Sequence, residues 1–117
     1  MERGWIGIDL DGTLATYDKW VSDMHIGEPI EPMVTRVQHW LAQGIEVKVF
    51  TARVGKASGR EEYSVAEIKR RIREWTEEHI GTALDSTCCK DFAMIELWDD
   101  RAVQVVKNTG ARADGQP

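Results

Sequence analysis

Apolar and polar positions follow two periods along the chain, and each change of period marks an element. Trp5, Ile6, Ile8 and Leu10 make a short apolar run of buried-strand length, broken by Gly12. Residues 15–28 carry Tyr17, Trp20, Met24 and His25 without helical periodicity, which predicts a hairpin or flap over the end of that strand. Pro29 and Pro32 introduce a helix whose Met33, Val34, Val37, Trp40 and Leu41 share one face, with Gly44 as its stop. Ile45, Val47, Val49 and Phe50 predict a second strand ending in Thr51-Ala52-Arg53. A loop with Gly55, Ser58 and Gly59 comes next, with capping-box spacings at Ser58–Glu61 and Ser64–Glu67. The next helix stripes Val65, Ile68, Ile72, Trp75 and Ile80 and stops at Gly81. A short third strand is expected within 83–89, a fourth at Met94, Ile95, Leu97 and Trp98, and a fifth at 102–106. The polar, Gly- and Ala-containing end, 111–117, is expected to be a mobile tail.

Strand, helix, strand, helix, strand predicts an α/β fold. The expected form is a Rossmann-like three-layer sandwich, a mainly parallel sheet of about five strands with helices on both faces, in one domain over 1–110. A length of 117 residues suits one modest core, and 42% hydrophobic with 30% charged residues argues against global disorder. No apolar run reaches the ~18 residues of a membrane span, and the start lacks a signal peptide's apolar region, so the expected setting is the cytoplasm, away from membranes. Cys88 and Cys89 are adjacent, which disfavours a structural disulfide between them, and the scattered His25, His39 and His79 give no zinc spacing.

The chemistry begins where the first strand ends. Asp9 and Asp11 are two residues apart, so an extended chain turns both carboxylates to one face. Such a pair repels itself and is costly to bury, and a hard oxygen-seeking cation such as Mg²⁺ relieves both terms. An isolated Asp-Leu-Asp-Gly is commonly only a strand entering a turn; Thr13, Leu14 and the preceding strand shift the reading towards a site. Thr51, Lys90 and the pair Asp99-Asp100 also fall at expected strand ends or just after them, where open parallel sheets bind ligands. Two acids, a hydroxyl, a lysine and a further acid pair suit phosphoryl transfer: a carboxylate nucleophile, a proton-transfer partner, and cations against phosphate charge.

In this order the set resembles the haloacid dehalogenase-like superfamily of phosphohydrolases, through Asp9-Leu10-Asp11-Gly12-Thr13-Leu14, Thr51 of Val49-Phe50-Thr51-Ala52-Arg53, Lys90, and Asp99-Asp100. The resemblance implies Asp9 as nucleophile, Asp11 as general acid and base, and Thr51 and Lys90 as phosphoryl ligands. It also implies Mg²⁺ held by Asp9, by Asp11 through its backbone carbonyl, and by Asp99, with Asp100 able to replace or support Asp99. Lys90 lies nine residues before Asp99, which leaves no room for the helix many relatives carry there, and Lys48 or Lys56 stand as alternatives. The short connections after both early motifs imply a capless member, with a flap at about 15–28 in place of a cap.

Asp99-Asp100-Arg101, with Val103 and Val105-Val106, is similar to the last motif in the phosphatase domain of phage-type polynucleotide kinases, and Arg53 to an arginine there. A phosphate-binding Gly-x-x-x-x-Gly-Lys-Ser/Thr loop is absent. Around a substrate, Gly12, Thr13, Ala52, Arg53, Lys56 and Arg60 are the expected contacts. Net charge is −5, which argues against extended nucleic-acid binding, although residues 53–73 hold seven basic against three acidic side chains. The expected function is a Mg²⁺-dependent phosphomonoester hydrolase acting on a small phosphorylated metabolite or nucleotide. Two other readings stand beside it, a 3'-phosphatase of nucleic-acid ends and a non-catalytic phosphate- or Mg²⁺-binding module. Trp20 in the flap leaves a homo-oligomeric contact open.

Overall fold

The apolar run that ends at Asp9 becomes the inner strand of a parallel sheet in the computed structural model, which describes residues 4–55 and 62–117. This strand, β1 (Trp5–Asp9), pairs with β2 (Glu46–Phe50) on one side and β4 (Met94–Trp98) on the other. The two-residue β3 (Ser86–Thr87) continues the sheet beyond β2, giving the order β3-β2-β1-β4. Ile6 and Ile8 lie beside Val47 and Val49, and all four point into the main core.

Two helices cover that face. Helix α1 (Glu31–Ala42) has a proline in its first turn and buries Met33, Val34 and Val37. Helix α2 (Val65–Ile80) starts with the expected capping box: Ser64 Oγ accepts from Glu67 N–H at 3.1 Å, and the Glu67 carboxylate accepts from Ser64 N–H at 3.3 Å. It stops at Gly81, whose left-handed φ of 97° lets its N–H bond back to the Glu77 carbonyl. The Ser58–Glu61 capping spacing lies outside the described residues.

Both helices sit on the same side of the sheet, contrary to the expected placement on both faces. Ile68, Ile72, Trp75 and Ile80 of α2 share one apolar cluster with the α1 residues and with Ile6, Ile8, Val47 and Val49. The reason is topological. The β1-α1-β2 and β2-α2-β3 connections step in the same direction across the sheet, and right-handed crossovers made in one direction stay on one side. Among the described residues the architecture is therefore two-layered. The opposite face is crossed by the short connection 88–93 between the edge strands β3 and β4, where Asp91 accepts a hydrogen bond from Trp5 Nε1 at 2.9 Å.

The expected fifth strand at 102–106 does not join the sheet among the described residues, which contain four strands in it. Only residues 99–101 separate it from β4, too few for a crossover back into parallel register. The segment pairs instead with residues 111–113: Val106 N–H donates to Ala111 O and Ala113 N–H to Gln104 O, both at 2.8 Å, around a Val105–Arg112 bridge. Val103, Val105 and Val106 are left exposed.

Residues 15–28 form the flap. Its base is closed by Thr16 N–H to Glu28 O at 2.8 Å, and its second half is tied to α2 by Arg71 Nε to Met24 O and Trp75 Nε1 to Gly27 O. No helix among the described residues is long and apolar enough to cross a membrane.

Candidate functional site

Beyond Asp9 the chain turns sharply, held by Leu14 N–H to Asp9 O at 3.2 Å and Ala15 N–H to Leu10 O at 2.8 Å, with Leu10 and Leu14 fully buried. Gly12 adopts a left-handed φ of 93°, and a Cβ there would lie 2.7 Å from Asp100 Oδ2. The absent side chain is what lets the loop after β1 close on the loop after β4. Thr13 joins the two loops: its Oγ1 accepts from Asp100 N–H at 3.0 Å and lies 3.2 Å from Asp100 Oδ1 and 3.4 Å from Asp9 Oδ2. One hydroxyl proton serves one of these carboxylates at a time.

Carboxylate oxygens of Asp9, Asp99 and Asp100 all lie within 4.8 Å of one another. Burial and crowding change the protonation of Asp9. The Asp9 carboxyl is pushed up to about 7, first by burial, then by its hydrogen bond with Asp100 and by the charges of Asp99, Asp100 and Asp11. Asp100, the exposed partner in that hydrogen bond, is held below the usual carboxylate range by it. Three convergent carboxylates are hard oxygen donors of the kind that fit a divalent cation.

Asp11 is turned elsewhere. Its carboxylate receives both arms of Arg53, Nε to Oδ2 at 2.8 Å and Nη2 to Oδ1 at 2.9 Å. Arg53 Nη1 also donates to the backbone carbonyls of Ser22 and Asp23 in the flap, at 3.2 and 2.9 Å, and Trp20 covers the guanidinium with its ring centroid 4.9 Å away. Arg53 is buried by these contacts, so the expected substrate-binding arginine instead clamps Asp11 to the flap. The Asp11 side chain accordingly stands outside the trio of Asp9, Asp99 and Asp100, and only its backbone carbonyl was expected at the metal.

Thr51, buried at the end of β2, caps the 3-10 turn Ala52–Val54. Its N–H donates to Thr87 O at 2.9 Å and its Oγ1 accepts from Arg53 N–H at 3.2 Å, which leaves the hydroxyl proton to donate.

These elements surround a cavity of about 580 Å³ lined by Asp9, Asp11, Thr51, Ala52, Arg53, Asp99 and Asp100. Tyr17, Trp20 and Asp23 of the flap, Phe50 and Arg101 complete its wall. Gly12 and Thr13, expected as substrate contacts, instead support Asp100 and Asp9 from behind. Lys90 does not line this cavity; it borders a separate cleft with Phe92, Met94 and Leu97, because the connection carrying it runs across the face away from the helices. Lys48 lies over the Trp5 ring, 4.7 Å from its centroid, on that same face. Lys56 and Arg60 lie outside the described residues. Sequence reasoning assigned no site role to Arg101, although its position immediately after the acid pair was a usable signal.

Comparison of the chain with protein-family models, with curated proteins and with solved structures returns no match.

Proposed function

We propose that the chain is a Mg²⁺-dependent phosphomonoester hydrolase of the haloacid dehalogenase-like type, acting through an aspartyl-phosphate on Asp9. The observation that carries this reading is the convergence of Asp9, Asp99 and Asp100 at the carboxyl end of a parallel sheet, facing one cavity with Asp11 and Thr51. Mg²⁺ held by Asp9, Asp99 and Asp100 would supply charge neutralisation between an anionic nucleophile and an anionic phosphate.

Each residue then has a chemical task. An Asp9 carboxylate oxygen attacks phosphorus, forming an O–P bond as the ester O–P bond breaks. Asp11 delivers a proton to the departing oxygen, then takes one from the water that cleaves the acyl phosphate, which returns Asp9 and releases inorganic phosphate. The Thr51 hydroxyl donates to a phosphoryl oxygen. Arg53 keeps Asp11 oriented, and its contacts to Ser22 and Asp23 place the flap over the proton-transfer residue.

A substrate of small-molecule size agrees with the cavity volume and with the acidic whole, which disfavours a long nucleic acid. The deciding experiment is phosphate release from p-nitrophenyl phosphate by wild type and Asp9→Asn, with Mg²⁺ and with chelator. Release that requires both Asp9 and Mg²⁺ supports the proposal. Equal release by both proteins rejects it, and phosphate binding without turnover favours the non-catalytic module. A panel of phosphorylated metabolites, mononucleotides and 3'-phosphorylated oligonucleotides then separates the substrate classes.

A further inference from the structure

We infer that Arg101 supplies the positive side chain that receives the phosphoryl group in this cavity, the task expected of Lys90. This rests on the hydrolase reading of the site. A phosphomonoester dianion approaching Asp9, Asp99 and Asp100 needs cationic donors on its outer oxygens as well as on the metal-facing side. Among the described residues the cavity wall offers two cations, Arg53 and Arg101. Arg53 is committed: two of its nitrogens bind the Asp11 carboxylate and the third binds the Ser22 and Asp23 carbonyls. Lys90 borders the separate cleft with Phe92 and Leu97.

Arg101 is placed differently from either. Its backbone N–H donates to Asp99 Oδ1 at 2.8 Å, which fixes the turn after β4 and sets the residue beside the carboxylate trio. The side chain is exposed at the wall of the cavity, so an incoming anion meets it without first breaking a buried ion pair. A guanidinium presents a planar fork that matches two phosphoryl oxygens, which an ammonium group cannot do in the same way.

The test is titration calorimetry of inorganic phosphate into the Mg²⁺-loaded full chain, for wild type, Arg101→Ala, Arg101→Lys and Lys90→Ala. Thermal melting of each variant establishes that it is folded, and Arg101→Lys supplies a conservative variant should the alanine chain melt early. Arg101→Ala is expected to raise the phosphate Kd at least tenfold, Arg101→Lys by less, and Lys90→Ala by under twofold. The inference is overturned if both Arg101 variants stay within about twofold of wild type, if Lys90→Ala weakens binding as much as Arg101→Ala, or if wild type binds no phosphate. The hydrolase reading fails separately, when wild type releases no phosphate from p-nitrophenyl phosphate. Turnover with silent Arg101 variants removes only the inference; Arg101-dependent binding without turnover removes only the hydrolase reading.

Discussion

Arg53 grips Asp11 through a two-armed fork of 2.8 and 2.9 Å, from a side chain only 5% exposed to one 22% exposed. The same guanidinium holds two flap carbonyls, so the orientation of the proposed proton-transfer residue and the position of the flap depend on one side chain. The fork fixes the orientation of the Asp11 carboxylate.

Replacing Arg53 tests that coupling. Arg53→Ala leaves a partly buried carboxylate and two flap carbonyls without their donor, and is expected to destabilise the fold by about 3 kcal/mol. Arg53→Lys keeps the charge but loses the fork, and its effect on turnover should depend on the leaving group. Alkyl esters need the proton from Asp11 and should lose roughly 100-fold in kcat; p-nitrophenyl phosphate leaves as a stable anion and should lose roughly tenfold. Equal losses on both substrates would show that Arg53 does not act through Asp11.

Asp9, the proposed nucleophile, is crowded by neighbouring charge. Ionised, it faces burial together with the charges of Asp99, Asp100 and Asp11. Asp9→Asn removes the charge at nearly constant shape. Without metal at about pH 8 this variant should melt above wild type, while added Mg²⁺ should raise the wild-type Tm and leave the variant nearly unmoved. A metal-free variant that melts below wild type contradicts the crowding account.

At the proposed metal site the same carboxyl is expected to make binding depend on pH. Its folded value of about 7 lies above the ordinary 3.8, so between these values the folded, metal-free protein holds a proton that the unfolded chain has lost. The stability from this proton is fully present below 3.8 and is lost as pH rises through about 7. Mg²⁺ must displace the proton, so its apparent association constant should rise about tenfold per pH unit below about 7 and level off above it. Calorimetric titrations from about pH 6 to about pH 8 check this; a flat profile would mean that Asp9 is not a ligand.

Parts of this molecule were legible in the sequence because their causes are local. The apolar faces of α1 and α2, the Ser64–Glu67 box and the Gly81 stop are each specified within a few residues of where they act. The placement of Asp9, Thr51, Asp99 and Asp100 around one cavity came from strand ends in a parallel sheet. The features that escaped depend on distant partners. The valines at 103, 105 and 106 signal an extended chain but not its partner, which proved to be the segment around Arg112. The one-sided helices result from strand order, which no local pattern encodes. Lys90 stands in the expected order along the chain, yet the path of its connection takes it to another cleft. Arg53 read as a loop cation for phosphate, and nothing in its neighbourhood announced a carboxylate 42 residues earlier.

Gly12 offers the most selective structural test of the acid cluster. Its φ of 93° lies where an L-residue is strained, and an added Cβ would press within 2.7 Å of Asp100 Oδ2. Gly81 has nearly the same backbone, φ 97°, with no heavy atom within 4 Å of an added Cβ. The two alanine substitutions therefore share the backbone penalty, about 1–2 kcal/mol, and differ in whether a carboxylate is displaced. Both should lower the Tm of the metal-free protein. Only Gly12→Ala should also weaken Mg²⁺ binding, by roughly tenfold or more, since Asp100 must shift away from Asp9 and Asp99 to admit the methyl group. Equal Mg²⁺ affinities for the two variants, measured by calorimetry, would remove Asp100 from the metal-binding set and leave Asp9 and Asp99 to hold the ion.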